Sequence, residues 1–267
     1  METTNLDRIR KILYTDKVWS VYALADTQIP VFRPHCRWFV SEAGEEDAAV
    51  LLFGAFDIPV MVAVGPDSTV SRILHEIELP PQLFLMVKES HYALLKRWYS
   101  FSEGIDPMVR MFLADEALLS AVGQKPSSAS LRRLTVAHEQ QIRALFGHGG
   151  PHAPGDFFSA FQIENGPFYG AFSQEEELIA VGGTHVVDRE DECAAVGNMY
   201  THPQWRNQGF ATSILSAIVA DLRRENIDTI VLNVDQRNQR ARTIYEQCGF
   251  GHHCPYVEGV GTLTTNK

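Results

Sequence analysis

The sequence predicts a mixed α/β protein in two parts, each combining a mixed sheet with helices, and three observations carry that prediction. Short β-branched and aromatic runs alternate along the chain with stretches of helical periodicity. A polar, Pro/Ser-rich stretch, Gly123-Gln124-Lys125-Pro126-Ser127-Ser128-Ala129-Ser130, separates an expected domain at 1–125 from another at 130–267. Beyond it an antiparallel meander leads into strand–helix–strand–helix, an α+β arrangement.

In the first part, Leu6, Ile9, Ile12 and Leu13 share one helical face, with Thr4 or Asn5 available as N-cap. Val18–Ala25, Cys36–Val40, Ala48–Phe56 and Val60–Val64 read as strands, punctuated by Pro30, Pro34, Gly44 and Pro59. Val70, Ile73, Leu74 and Ile77 then fall at helical spacing, capped by Asp67 or Ser68 and stopped by Pro80-Pro81. Leu83–Val87 reads as a strand and His91–Tyr99 as a helix. No internal repeat is evident.

In the second part, Leu131–Val136 reads as a strand and His138–Phe146 as a helix. A loop follows that contains Gly147, His148, Gly149, Gly150, Pro151, His152, Pro154 and Gly155, a composition suited to mobility or function. Phe157–Phe161 gives a short helix, and Phe168–Phe172, Leu178–Val187 and Ala194–Tyr200 give three strands. The clearest helix carries Ala211, Ile214, Leu215, Ile218, Val219 and Leu222 on one stripe and ends near Arg224. Thr229–Val234 is a buried strand, and Asn238–Cys248 a helix with Ala241, Ile244, Tyr245 and Cys248 on one face, ended by Gly249.

Composition narrows the function classes. The net charge of the 267 residues is −10, with 12 basic against 17 acidic residues up to Ser130 and 11 against 16 after it. Neither part is a basic nucleic-acid platform. The N-terminus lacks a signal-peptide pattern, and the apolar runs are too short to span a bilayer, so a soluble cytoplasmic protein without membrane contact is expected. Cys36, Cys193, Cys248 and Cys254 are too few and irregular for a disulfide framework.

The stretch richest in chemistry is Arg206-Asn207-Gln208-Gly209-Phe210-Ala211, which fits Arg/Gln-x-x-Gly-x-Gly/Ala between a strand end and a helix start. Small residues at Gly209 and Ala211 admit a close ligand. The open first-turn amides and the helix dipole favour an anion such as a pyrophosphate. Taken alone, the pattern is weak and better fits a helix start with a glycine for packing.

Three motifs in register go further. Gly197 to Thr212, then Leu232-Asn233-Val234, then Asn238 to Phe250, resemble the GNAT superfamily of N-acetyltransferases over about residues 131–260. The two-part organisation is similar to that of glycine N-acyltransferase-like proteins, which implies that the first part is a degenerate relative of the same fold.

The resemblance implies acetyl-CoA as co-substrate, with no metal, and a small-molecule or peptide amine as acceptor. The backbone of Met199, Tyr200 and Thr201 would pair with the pantetheine arm. The amides of Arg206, Asn207, Gln208, Gly209, Phe210 and Ala211 would hold the pyrophosphate, Asn233 and Asn238 would lie beside the pantetheine and thioester, and Tyr245 would be the general acid. A phenol of pKa about 10 can protonate a departing thiolate, although the same stripe position suits a core tyrosine.

The base stays open among His185, Glu164, His202 and ordered water. Cys248, His252, His253 and Cys254 lie close in sequence without a standard zinc spacing. His148 and His152 read as exposed loop histidines. A non-catalytic acyl-CoA-binding regulatory module and an acyltransferase using longer acyl-CoA are the alternative functions, and the chain is expected to be a monomer or homodimer.

Overall fold

The computed structural model describes residues 1–117, 119, 130–149 and 157–264. The expected linker from Gly123 to Ala129 lies outside these residues, as do Gly150 to Gly155 of the glycine- and histidine-rich loop. Two compact units divide the chain. One comprises Met1–Arg110, Val234–Asn238 and the chain from His252 onward, and the other Met111–Asn233 and Gln239–Gly251.

The first unit begins with β1 (Glu2–Thr3), α1 (Leu6–Leu13) and α2 (Lys17–Gln28). It continues with β2 (Cys36–Val40), β3 (Ala49–Phe53), β4 (Val60–Val64), α3 (Asp67–Glu76), β5 (Gln82–Lys88) and α4 (Glu89–Leu95), followed by β6 (Tyr99–Ser100) and β7 (Asp106–Leu113). Asn5 caps α1 by accepting from the Arg8 amide at 3.1 Å, as its sequence suggests.

Val18–Ala25, expected as a strand, is instead the body of α2. Asp16 accepts from the Trp19 amide at 3.1 Å to start the helix, which buries Trp19, Ser20, Val21, Ala23, Leu24, Ala25 and Thr27. A helix buried on so many sides has no polar stripe, so neither period is readable in it. The N-cap of α3 is Pro66, with no side-chain cap bond, rather than Asp67 or Ser68. Strand β7 went unread in the sequence.

The second unit holds β8 (Ser130–Arg133), α5 (Glu139–Gly147), α6 (Ala160–Asn165), β9 (Tyr169–Phe172), β10 (Leu178–Asp188), β11 (Cys193–Thr201), α7 (Phe210–Arg224), β12 (Thr229–Asp235) and α8 (Gln239–Gln247). The final strand is β13 (Phe250–Leu263). Of it, Tyr256–Thr262 pair antiparallel with Lys88–Gln82 of β5 in the first unit.

Set side by side, the units repeat one order, β–α–α–β–β–β–α–β–α, which no sequence repeat discloses. The pairing repeats as well. β1 through β4 are antiparallel neighbours in sequence and β4 pairs parallel with β5. β8 through β11 are antiparallel and β11 pairs parallel with β12. Each unit packs its own core. In the first, Val50, Leu52, Met61, Val70, Ile73 and Leu85 cluster; in the second, Ile142, Phe146, Ile163, Phe168, Val181 and Tyr200 do.

Candidate active site

The site is built where β11 parts from its parallel neighbour. The ladder runs from Cys193↔Thr229 to Val196↔Leu232 and stops, while β11 continues to Thr201 along β10. Asn233 is the first β12 residue past the fork. Opposite β10, the register moves from Gly183↔Gly197 to Val181↔Tyr200, so β11 carries one extra residue there. Asn198 absorbs that bulge in the left-handed region at φ 55°. Its buried amide donates to Gln162 Oε1 at 3.1 Å, and Gln162 Nε2 donates to the Phe157 carbonyl at 2.9 Å. Helix α6 thus pins the bulge.

Eight residues, His202–Gly209, join β11 to α7. The His202 amide continues the sheet by donating to Ile179 O at 2.9 Å, and its Nδ1 accepts from the Gln204 amide at 3.4 Å. The Arg206 Nε donates back to Thr201 O at 3.1 Å, and its guanidinium lies 5.9 Å from the Tyr200 ring centre. Asn207 and Gly209 both take positive φ, 67° and 81°.

Nothing lies within 4 Å of a Cβ built on Gly209, so the glycine answers to backbone conformation, not to space. It caps α7 without any side-chain acceptor. The first-turn amides of a 15-residue helix therefore stay available to an anion. Phe210, Ile214, Leu215, Ile218, Val219 and Leu222 are buried and fix this helix in place.

The loop has a brace that sequence reasoning missed. Arg240, in the first turn of α8, donates through Nη2 to Asn207 Oδ1 at 2.6 Å. A cation at a helix start opposes the dipole, and that misfit is the signal that could have singled it out. Met199, Tyr200, Thr201 and Arg206 to Ala211 are brought together along β11 and its loop, and Arg240 ties them to α8. Asn238 is exposed just before α8, its amide donating to Asp235 O at 2.9 Å.

Tyr245 is partly buried on α8, its ring 6.3 Å from that of Phe250. Burial, with the Cys248 thiol adding to it, pushes the phenol up to about 12. Cys248 is itself buried and bonded to Thr212 of α7, burial raising its thiol.

The other sequence candidates fall apart in space. His253 bonds Asp16 Oδ1 at 2.8 Å rather than joining Cys248. Among the described residues no group of three or more His, Cys, Asp or Glu could hold a metal ion. Of the candidate bases, Glu164 is exposed on α6, and His202 packs edge-on to His148 at 4.8 Å. His185 lies half-buried in β10 with its ring against Gly197. His152 lies outside the described residues.

The first unit closes the equivalent fork. Its parallel ladder stops at Val62↔Met86, but the next β4 carbonyl, Ala63, accepts from the Trp19 indole at 2.9 Å. The Gly65 carbonyl is met by His91 Nε2 at 3.0 Å. Only Gly65 and Pro66 separate β4 from α3, against eight residues between β11 and α7.

Residues 136–250 match the acetyltransferase (GNAT) family. No curated protein matches the chain in sequence. Several solved structures share its shape. A GCN5-related N-acetyltransferase from Kribbella flavida is 14% identical over 92% of this chain and 94% of that one, with a TM-score of 0.61. A tandem GNAT protein from the clavulanic acid biosynthesis pathway is 13% identical over 99% and 97%, also with a TM-score of 0.61. A Drosophila protein is 15% identical over 96% and 90%, with a TM-score of 0.65. At these identities the likeness is one of fold. No helix among the described residues is long and apolar enough to cross a membrane.

Proposed function

Residues 136–250 form a domain of the acetyltransferase (GNAT) family, and on that premise we propose that the chain moves an acetyl group from acetyl-CoA to a primary amine by direct attack. The observation that carries this reading is the eight-residue loop, from a strand at its fork to the uncapped N-terminus of α7. The amides of Arg206 to Ala211 take the pyrophosphate there. The backbone of Met199, Tyr200 and Thr201, left beside the fork, takes the pantetheine arm, with Asn233 and Asn238 near the thioester end.

In the transfer, the amine nitrogen forms its bond to the carbonyl carbon as the carbon–sulfur bond breaks. Tyr245 gives its phenolic proton to the departing sulfur, and the proton shed by nitrogen leaves to a base or to water. A phenol held near 12 is fully protonated at neutral pH, as an acid must be before the bond breaks.

We assign this chemistry to the part of the chain at 130–267. The part at 1–125 is a degenerate copy of the fold, and the filled fork at Ala63 and the two-residue turn at Gly65 support that assignment. The test is release of coenzyme A thiol from acetyl-CoA across small amines, amino acids and peptide N-termini. Release with at least one amine is expected. None from any would overturn catalysis and leave an acyl-CoA-binding regulator.

A further inference from the structure

We propose that His185 is the catalytic base, the group that takes the proton from the attacking amine. This rests on the acetyl-transfer reading above and adds the residue which that reading leaves open.

The geometry starts from a second irregularity in the same pair of strands. Between Thr184↔Val196 and Val186↔Ala195, β10 carries one extra residue, and that residue is His185. A strand that alternates regularly sends successive side chains to opposite faces; a bulge re-aims one of them. Here it lays the imidazole across Gly197. A Cβ built on Gly197 would stand 1.8 Å from both Cδ2 and Nε2 of His185. Position 197 is therefore glycine because the imidazole occupies the space.

Gly197 is the first β11 residue past the fork with β12, and Asn198, the bulged residue pinned to α6, follows it. Two bulges, one in each strand, thus meet at the mouth of the fork. Along β11 from there, Met199 to Thr201 lead to the phosphate loop. A chain bound with its phosphates on α7 and its arm along β11 brings its reacting end back to Gly197 and Asn198.

The rival bases sit elsewhere. His202 comes just after β11, five residues beyond Gly197 and roughly 16 Å away at about 3.3 Å per residue, at the phosphate end, and its Nδ1 is engaged by the Gln204 amide. Glu164 is exposed on α6.

The elements packed on β10 are β9, β11, α5, α6 and α7. Their titratable and charged groups are Tyr169, Cys193, Tyr200, Glu139, Arg143, Glu164, Asp221, Arg223 and Arg224, with Asp188 closing β10 itself. Tyr169 is bonded to Asp221, and Arg143 to Glu139. Histidine is the side chain whose ordinary titration lies nearest neutrality, as a base for an amine requires. The step balances. His185 gains the proton that nitrogen sheds, sulfur gains the Tyr245 proton, and exchange through water returns a proton from imidazolium to phenolate.

The experiment compares the native chain with His185→Gln, using acetyl-CoA and the fastest amine among glycine, benzylamine and a short peptide. The expected result is a kcat lower by about 100-fold or more, with KM for acetyl-CoA within about threefold. On the acid side, the slope of log kcat/KM against pH falls by one proton. An unchanged slope and kcat would overturn the assignment of His185 while leaving acetyl transfer intact. No thiol release by the native chain would overturn the parent reading and this one with it. Should His185→Gln fail to bind acetyl-CoA, Gly197→Ala carries the test, since it keeps the imidazole in the chain but displaces it from its place across residue 197. A matching fall in kcat supports the base, and native kcat overturns it.

Discussion

The Arg240 guanidinium donates to the Asn207 side-chain oxygen across 2.6 Å, joining the start of α8 to the left-handed turn of the loop that leads into α7. Both residues are exposed. Arg240→Ala is expected to raise KM for acetyl-CoA about three- to tenfold with kcat little changed, in keeping with one exposed charge-assisted bond. Repeating the assay at 0.5 M salt should shrink the difference, because exposed charge interactions are screened there.

Gly209 makes a different demand. At φ 81°, with open space where a Cβ would stand, alanine costs conformational energy of about 1–2 kcal/mol and nothing in collision. Gly209→Ala should lower the melting temperature by a few degrees. It should also weaken acetyl-CoA binding, and calorimetric titration reads both the fall in affinity and any change in stoichiometry.

Tyr245→Phe is expected to lower kcat by about 100-fold or more while retaining coenzyme A affinity. The pH profile adds a sharper check. With the phenol pushed up to about 12, Tyr245 stays protonated well above neutrality. Native activity should show no loss from this group below about pH 11. A fall between pH 9 and 10 that disappears in Tyr245→Phe would contradict the shift.

Asp16 sets an acid limit on the first unit. Its carboxylate accepts from Lys88 Nζ at 2.6 Å, from His253 at 2.8 Å and from the Trp19 amide at 3.1 Å. These donors outweigh desolvation and hold it well below the usual carboxylate range. A folded-state pKa below the unfolded value adds stability that is present above about pH 4 and lost as pH falls toward the folded value. Asp16→Asn should therefore cost about 1–2 kcal/mol at pH 7, shrinking below pH 4, as urea unfolding across pH would read.

Where one side of an element faces solvent, the sequence was a good guide. The stripe from Ile214 to Leu222 predicts α7 because polar residues mark its other side, and Arg206 to Ala211 marks its start, although Gly209 is there for its positive φ rather than for the closeness its size suggests. Trp19 to Thr27 misled because α2 is buried around most of its circumference. The bulges at His185 and Asn198 were invisible for another reason. A bulge is a property of two strands in register, and neither strand carries it alone. The repeat of the fold was legible only through the likeness to two-part relatives, because the first unit lacks the one motif by which the second is recognised. Arg240 lay inside a quoted motif, yet its partner 33 residues away could be named only once the chain was folded.

The indole of Trp19 on the Ala63 carbonyl separates the two halves thermodynamically. In the first unit, backbone at the fork is already bonded within the chain. In the second, Gly197 to Thr201 run on past the end of the β12 ladder, where the proposed acetyl-CoA arm would pair. Deuterium exchange in the presence of acetyl-CoA should therefore slow along β11 and the first turn of α7, and stay unchanged along β4, although the two strands hold the same place in the same fold. Duplicated in architecture, the chain is then expected to answer acetyl-CoA in one half alone, the half whose fork stays open in sequence register, while the other half keeps the order it already has.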